Sequence, residues 1–183
     1  MRFLTVLLAS LLLAPSSGWA AAPECLSEAA AAEVRHHVPA GLLVSMALVE
    51  SGRSGPNGTV SSWPWTLRAQ GEGRYFETSE DAQREARRSL ASGDALIDVG
   101  CLQVDLYHHP DAFPSLAAAF DPHENADYAA RYLSRLAHQR GSWLEAVAAY
   151  NAGRPYDGVD YLAKVLYRWR GIRPAAFIQT TPP

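Results

Sequence analysis

The sequence predicts a mainly α domain of the α+β kind, a helical bundle around a cleft with one inserted β-hairpin plus helix. Three observations lead there. Apolar residues recur at helical spacing along most of the chain. Two capping-box patterns, Asp121-Pro122-His123-Glu124 and Ser142 followed by Glu145, mark helix starts. Only one stretch, residues 61–76, breaks the helical period, with aromatic runs on either side of Gln70-Gly71-Glu72-Gly73.

In chain order, residues 26–37 are alanine-rich and helix-forming. Pro39 opens a second helix that runs through Glu50, with Gly52 as its stop. The hairpin follows, and residues 78–92 then read as a polar, arginine-rich helix. After Asp121 the face of Ala129, Tyr132, Leu133 and Leu136 marks a helix that Gly141 ends. Ser142 starts the next, which Gly153 stops. A last helix over about residues 158–170 presents Leu162, Val165, Leu166 and Trp169, with Gly171 as terminator. Residues 21–173 thus form one domain, with 52–98 as an insertion and 174–183 as a loose, proline-flanked tail.

Composition narrows the partners. A chain of 183 residues, 48% hydrophobic, builds one real core. The net charge is −3 and Lys164 is the only lysine, so no basic patch exists for nucleic acid. Residues 1–20 read as a signal peptide: Arg2, an apolar run over 3–13, then Gly18-Trp19-Ala20 before the cut. The plainer alternative is a buried N-terminal helix. No second long apolar run occurs, so no membrane span is expected. Cys25 follows Pro23-Glu24 rather than the small apolar residues of a lipoprotein signal. The expected location is the periplasm or the exterior. There Cys25 and Cys101 would form one disulfide, the alternative being two buried thiols.

Two polar residues stand where apolar ones are due. Leu43, Met46, Ala47 and Glu50 occupy i, i+3, i+4 and i+7 of the second helix, and Leu144, Val147, Ala148 and Asn151 repeat the form later. Each polar group ends an apolar stripe in its helix's last turn, where a core gives way to a cleft. For Glu50, desolvation and the negative end of the helix dipole both favour the protonated form, which suits a general acid. The alternatives are a Glu50 turned to solvent or paired with Arg53, and an Asn151 that only caps.

At these residues the chain resembles the soluble lytic transglycosylase family, relatives of goose-type lysozymes. Glu50-Ser51 at the end of an apolar helix is similar to the family's catalytic Glu-Ser. Gly100-Cys101-Leu102-Gln103-Val104 is similar to its Gly-Leu-Met-Gln-Ile signature, and Asp121-Pro122 with Asn125, Tyr132 and Leu133 to its next helix. Ala149-Tyr150-Asn151-Ala152-Gly153 matches its Ala-Tyr-Asn-Ala-Gly motif unchanged, and Tyr161 with Lys164-Val165 resembles its final helix. The ordered set covers the chain from about Cys25 to Trp169, except the stretch 52–98.

The resemblance implies a lysozyme-like fold around a glycan cleft, with peptidoglycan strands as partner and no cofactor or metal. It implies Glu50 as catalytic acid and base, Asn151 on the substrate's N-acetyl group, Gln103 and Tyr150 on sugar, and Tyr161 hydrogen-bonded to Glu50. Ser51 would support the helix end. The reaction implied is non-hydrolytic cleavage to 1,6-anhydro-muramic ends. Asp105, two residues after Gln103, keeps a second reading open: goose-type lysozymes carry an aspartate there, and an inverting hydrolase needs two carboxyls about 6.5–9.5 Å apart. A third reading is a non-catalytic wall-binding module of a secretion or flagellar apparatus.

The remaining candidates are plainer. Trp63, Trp65, Tyr75 and Phe76 form either a sugar-stacking wall or a small satellite core under the hairpin. His36-His37 and His108-His109 lack a third ligand at metal spacing and read as solvated or structural. Arg84, Arg87 and Arg88 read as a solvated helix face.

Overall fold

The computed structural model describes residues 24–93, 95–151 and 157–172. The signal peptide over 1–20, the tail over 174–183 and the stop at Gly153 lie outside the described residues.

Two helices open the fold, α1 (Glu24–Arg35) and α2 (Leu42–Glu50). α2 begins at Gly41, in a left-handed conformation with no side-chain cap of its own. Its first amides are served instead from α1: the buried Glu33 carboxylate accepts from Gly41 N at 2.7 Å and Val44 N at 3.0 Å. A carboxylate there also complements the helix dipole. The helix starts three residues later than Pro39 suggests because residues 39–41 form the turn that brings Glu33 over its end.

Residues 52–75 hold more strand than one hairpin. β1 (Gly52–Ser54) and β2 (Val60–Ser62) pair antiparallel. β3 (Thr66–Ala69) and β4 (Glu72–Tyr75) form the expected hairpin, turned by Gln70 and Gly71, both at positive φ (53° and 80°) as a two-residue hairpin loop requires. β5 (Ile97–Val99) and β6 (Val104–Asp105) extend it into a four-stranded sheet in the order β4-β3-β5-β6. Between β4 and β5 runs α3 (Ser79–Ala91), capped by Thr78, whose hydroxyl accepts from Asp81 N.

The second helical run comprises α4 (Leu116–Ala119), α5 (Pro122–Arg140), α6 (Trp143–Tyr150) and α7 (Asp157–Ile172). Asp121 and Ser142 cap α5 and α6 by accepting from Glu124 N and Glu145 N, as the capping boxes imply, and Gly141 closes α5 at φ 73°. α7 passes through Gly171 to Ile172, so that glycine is not the terminator.

These elements enclose two cores. The larger packs α1, α2, α5, α6 and α7 around Leu42, Leu43, Met46, Leu133, Val147 and Val165, all fully buried. Side chains of that size contribute roughly 1.5–3 kcal/mol each on burial. The smaller joins the sheet to α3 and α4 through Leu67, Ile97, Val99, Ala82, Ala86 and Phe120. The arrangement is the mainly α, lysozyme-like α+β fold. The α6 stripe needs one correction. Leu144 is 41% exposed, and α6 buries Ala146 and Val147 instead, with Trp143 packed beside them. A disulfide joins Cys25 of α1 to Cys101, in the loop between β5 and β6. It ties the first helix of the larger core to the sheet.

Candidate active site

Glu50 stands in the last turn of α2 and borders a cleft of about 780 Å³ where the two cores meet. The helix end behind it is locked. Ser51, fully buried, donates to Cys101 O at 2.8 Å and shares a hydrogen bond with Ser62 Oγ at 2.5 Å. Ser51 thus supports the helix end, as expected, and couples it to β2 and to the loop after β5.

That loop is held from the other side by Asn125 of α5. Its Nδ2 donates to Val99 O (3.0 Å) and Ala119 O (2.9 Å), and its Oδ1 accepts from Leu102 N (2.9 Å). Gly100 allows the approach: at φ 80°, a Cβ there would lie 2.3 Å from Asn125 Nδ2. The loop delivers Gln103 to the cleft at φ 45°, with its Nε2 donating to Thr66 O and Gly100 O. Tyr150 of α6 lines the same cleft and donates to Leu102 O at 3.0 Å. Asn151, just past α6, borders the cleft as an exposed side chain. Tyr161 of α7 is buried behind Glu50. The structure therefore brings together all the residues singled out by sequence: Glu50, Gln103, Asp105, Tyr150, Asn151 and Tyr161.

The electrostatics of Glu50 follow from this packing. Burial pushes its pKa up to about 8; Tyr161 opposes, Asp98 reinforces, and Arg68 and Asn151 oppose. The residue keeps an opening to the cleft, but its Oε1 is sealed and completes no hydrogen bond, and neither does the Tyr161 hydroxyl. Burial, then the Glu50 charge, holds the Tyr161 phenol protonated and able to donate. The direct Tyr161–Glu50 hydrogen bond that the resemblance implies is thus not closed in this geometry, although the two side chains lie near enough for Tyr161 to lower the Glu50 pKa.

Two cleft residues escape the sequence reading. β-sheet register sets Arg68 of β3 opposite Asp98 of β5, and Asp98 opposite Asp105 of β6. The three form a row across the sheet, facing Glu50. Arg68 Nη1 lies 3.6 Å from Asp98 Oδ2. Burial, then Asp105, raises Asp98 to about 6 against the pull of Arg68. Burial would also raise Asp105, but the His108 ring and the amides of His108 and Tyr107 outweigh it and hold its pKa low. Asp105 is therefore a capped anion.

His108 and His109 both border the cleft, His108 as an exposed ring paired with Asp105 and His109 packed on Tyr128 and Tyr132. The four aromatic residues of the hairpin do not border it. Trp63 is buried and donates to Phe76 O, Trp65 and Phe76 pack on the smaller core, and Tyr75 donates to Gly52 O. Trp65 and Phe76 thus belong to the satellite core, while Trp63 and the exposed Tyr75 lie under Arg53. Arg84 and Arg88 pair along α3 with Asp81 and Glu85. Among the described residues no group of three or more His, Cys, Asp or Glu is placed to hold a metal, and no helix is long and apolar enough to cross a membrane.

A carboxylic acid held protonated by burial at the head of an open cleft is the arrangement that general-acid catalysis requires. The family model described as transglycosylase SLT domain matches residues 27–158, and the chain belongs to this family. The family acts on the peptidoglycan of the cell wall as lytic transglycosylases. The match runs from α1 to the start of α7, and Tyr161 lies just beyond it. No curated protein and no solved structure matches the chain.

Proposed function

We propose that the protein is a lytic transglycosylase that cleaves the β-1,4 bond between N-acetylmuramic acid and N-acetylglucosamine without water. The observation that carries this reading is Glu50, an acid with a pKa of about 8 that still opens onto the cleft beside Asn151. At neutral pH it holds the proton that the departing glycosidic oxygen needs. As that bond breaks, the carbonyl oxygen of the muramic N-acetyl group bonds to C1 and takes the place of a second carboxylate. Asn151 orients that N-acetyl group. Glu50, now ionised, accepts the C6 hydroxyl proton as O6 attacks C1 and displaces the acetamido oxygen, which restores the N-acetyl group and leaves a 1,6-anhydro ring. The hydroxyl is part of the reacting sugar, so its effective concentration exceeds that of water. Tyr161 donates to Glu50 while it is ionised, and Gln103 and Tyr150 bind sugar.

Hydrolysis is the second reading, favoured by the two further carboxylates in the cleft. Asp105 serves it poorly, because both of its oxygens already hold the loop after β6. Mass spectrometry of digested sacculi separates the two reactions. Anhydro-muramic ends support transglycosylation; products heavier by one water would overturn it. No turnover by the folded protein would leave a wall-binding module of a secretion or flagellar apparatus. Residues 1–20 would direct export, so protein recovered from the periplasm or medium should begin at Ala21.

A further inference from the structure

The α5 wall of the cleft has a chemistry different from that around Glu50. α5 sends Tyr128 and Tyr132, one turn apart, into its wall, with ring centroids 6.4 Å apart and planes at 21°. His109 packs on both rings and meets the Tyr128 hydroxyl at 2.9 Å through Nδ1. Arg131 and Arg135 follow each tyrosine by three residues and lie over them, Arg131 Cζ at 5.5 Å from the Tyr128 centroid and Arg135 Cζ at 5.1 Å from that of Tyr132. Arg131 shares Asp127, at 3.6 Å, with Arg35 and His36, which hold that carboxylate at 3.0 and 2.7 Å. Among the described residues Arg135 has no carboxylate at salt-bridge distance.

Two exposed guanidiniums therefore sit stacked on cleft tyrosines with little or no anion of their own. Stacking, and for Arg135 a hydrogen bond to Tyr128, pre-order the guanidinium, and its remaining N–H donors match a carboxylate. His109 adds no charge: burial holds its ring neutral, helped by His108 and Arg135 and opposed by Asp105. Elsewhere on the cleft wall Asp98 and Asp105 face Arg68 and His108, while Glu50 holds its proton. The sheet side of the cleft thus carries carboxylates and the α5 side carries guanidiniums stacked on its tyrosines.

Peptidoglycan strands are uncharged along the sugars. Their carboxylates belong to the peptide stems that branch from each muramic residue. We propose that Tyr128, Arg131, Tyr132 and Arg135 of α5 form a stem-peptide subsite, with Arg135 pairing to a stem carboxylate. The inference rests on the glycan strand being the ligand of this cleft. The Asp98 and Asp105 carboxylates repel the stem carboxylate and the α5 arginines attract it, so the subsite favours the stem on the α5 side of the cleft.

The test is binding, independent of turnover. In a Glu50→Gln background, calorimetry compares the disaccharide N-acetylglucosaminyl-N-acetylmuramic acid bearing its peptide with the same disaccharide with the lactyl carboxylate amidated and no peptide. The stem-bearing ligand should bind tighter by roughly three- to fivefold at low salt. Arg135→Gln should bring the ratio to about one, and Arg135→Lys should retain part of it. Arg135 is exposed, so melting temperatures should not change. A ratio that Arg135→Gln leaves intact, or an equal weakening of both ligands, overturns the subsite. Inactivity of the wild-type protein on sacculi would overturn the proposed reaction while leaving this ratio as measured.

Discussion

The helical half and the sheet half of the molecule contribute to the cleft in opposite ways. The helical half supplies the acid and what surrounds it: Glu50 ends α2, Tyr161 lies on α7, and Tyr150 and Asn151 end α6. The sheet half supplies charge at a distance, through Arg68, Asp98 and Asp105 in one row across β3, β5 and β6. The helical core holds the proton donor in a dry place, and the sheet sets the field that donor feels. Neither half completes the site alone, and the loop from Gly100 to Gln103 joins them, held by Ser51, Asn125 and the disulfide.

The largest break comes from removing the donor. Glu50→Gln should lower turnover of sacculi by roughly 10³-fold or more. The same change sharpens the account of its environment. Because the folded pKa of Glu50, about 8, lies above the unfolded value near 4.5, the wild-type protein loses stability as pH rises between those values. Glu50→Gln should therefore melt higher than wild type at pH 9, with the gap closing by about pH 4. A gap that does not change with pH would mean that the carboxyl is solvated.

Next in size is the covalent tie. The disulfide spans 76 residues, and serine at both positions should lower unfolding free energy by roughly 4 kcal/mol, read by denaturant titration. Asn125→Ala removes three buried hydrogen bonds, to Leu102 N of the joining loop, Val99 O at the end of β5 and Ala119 O of α4, and should cost roughly 2–4 kcal/mol. It should also lower kcat, because Gln103 is displaced with the loop. The smallest effect tests the electrical link between the halves. Asp98 raises the Glu50 pKa, so Asp98→Asn should move the basic limb of the pH–kcat profile, near pH 8, to lower pH by less than about one unit. A limb that stays in place would make the two halves electrically independent.

The same division governs what the sequence reveals. The helical half is legible because helices repeat. Leu43, Met46 and Ala47 point to the burial of Glu50, and Asp121 and Ser142 mark their helix starts through capping chemistry that acts within one turn. The sheet half is mostly hidden, because β5 and β6 are three and two residues long. Ile97-Asp98-Val99 alternates as a strand should, but three residues do not separate strand from loop, and the facing of Arg68, Asp98 and Asp105 is a matter of long-range register. The α6 stripe fails for a related reason. Periodicity identifies a face without saying which neighbour covers it, and Trp143 and Ala146 pack on the core where Leu144 does not.

The bond between Cys25 and Cys101 closes a ring of chain that contains α2, β1 to β5 and α3. The exposed tip at Asn57 and Gly58 lies within that ring. A protease that cuts there opens the ring without separating the pieces. The nicked chain keeps its apparent mass until a reductant is added, and then divides in two. Glu50 leaves with the shorter piece, while Gln103, Tyr150 and Asn151 remain on the longer one.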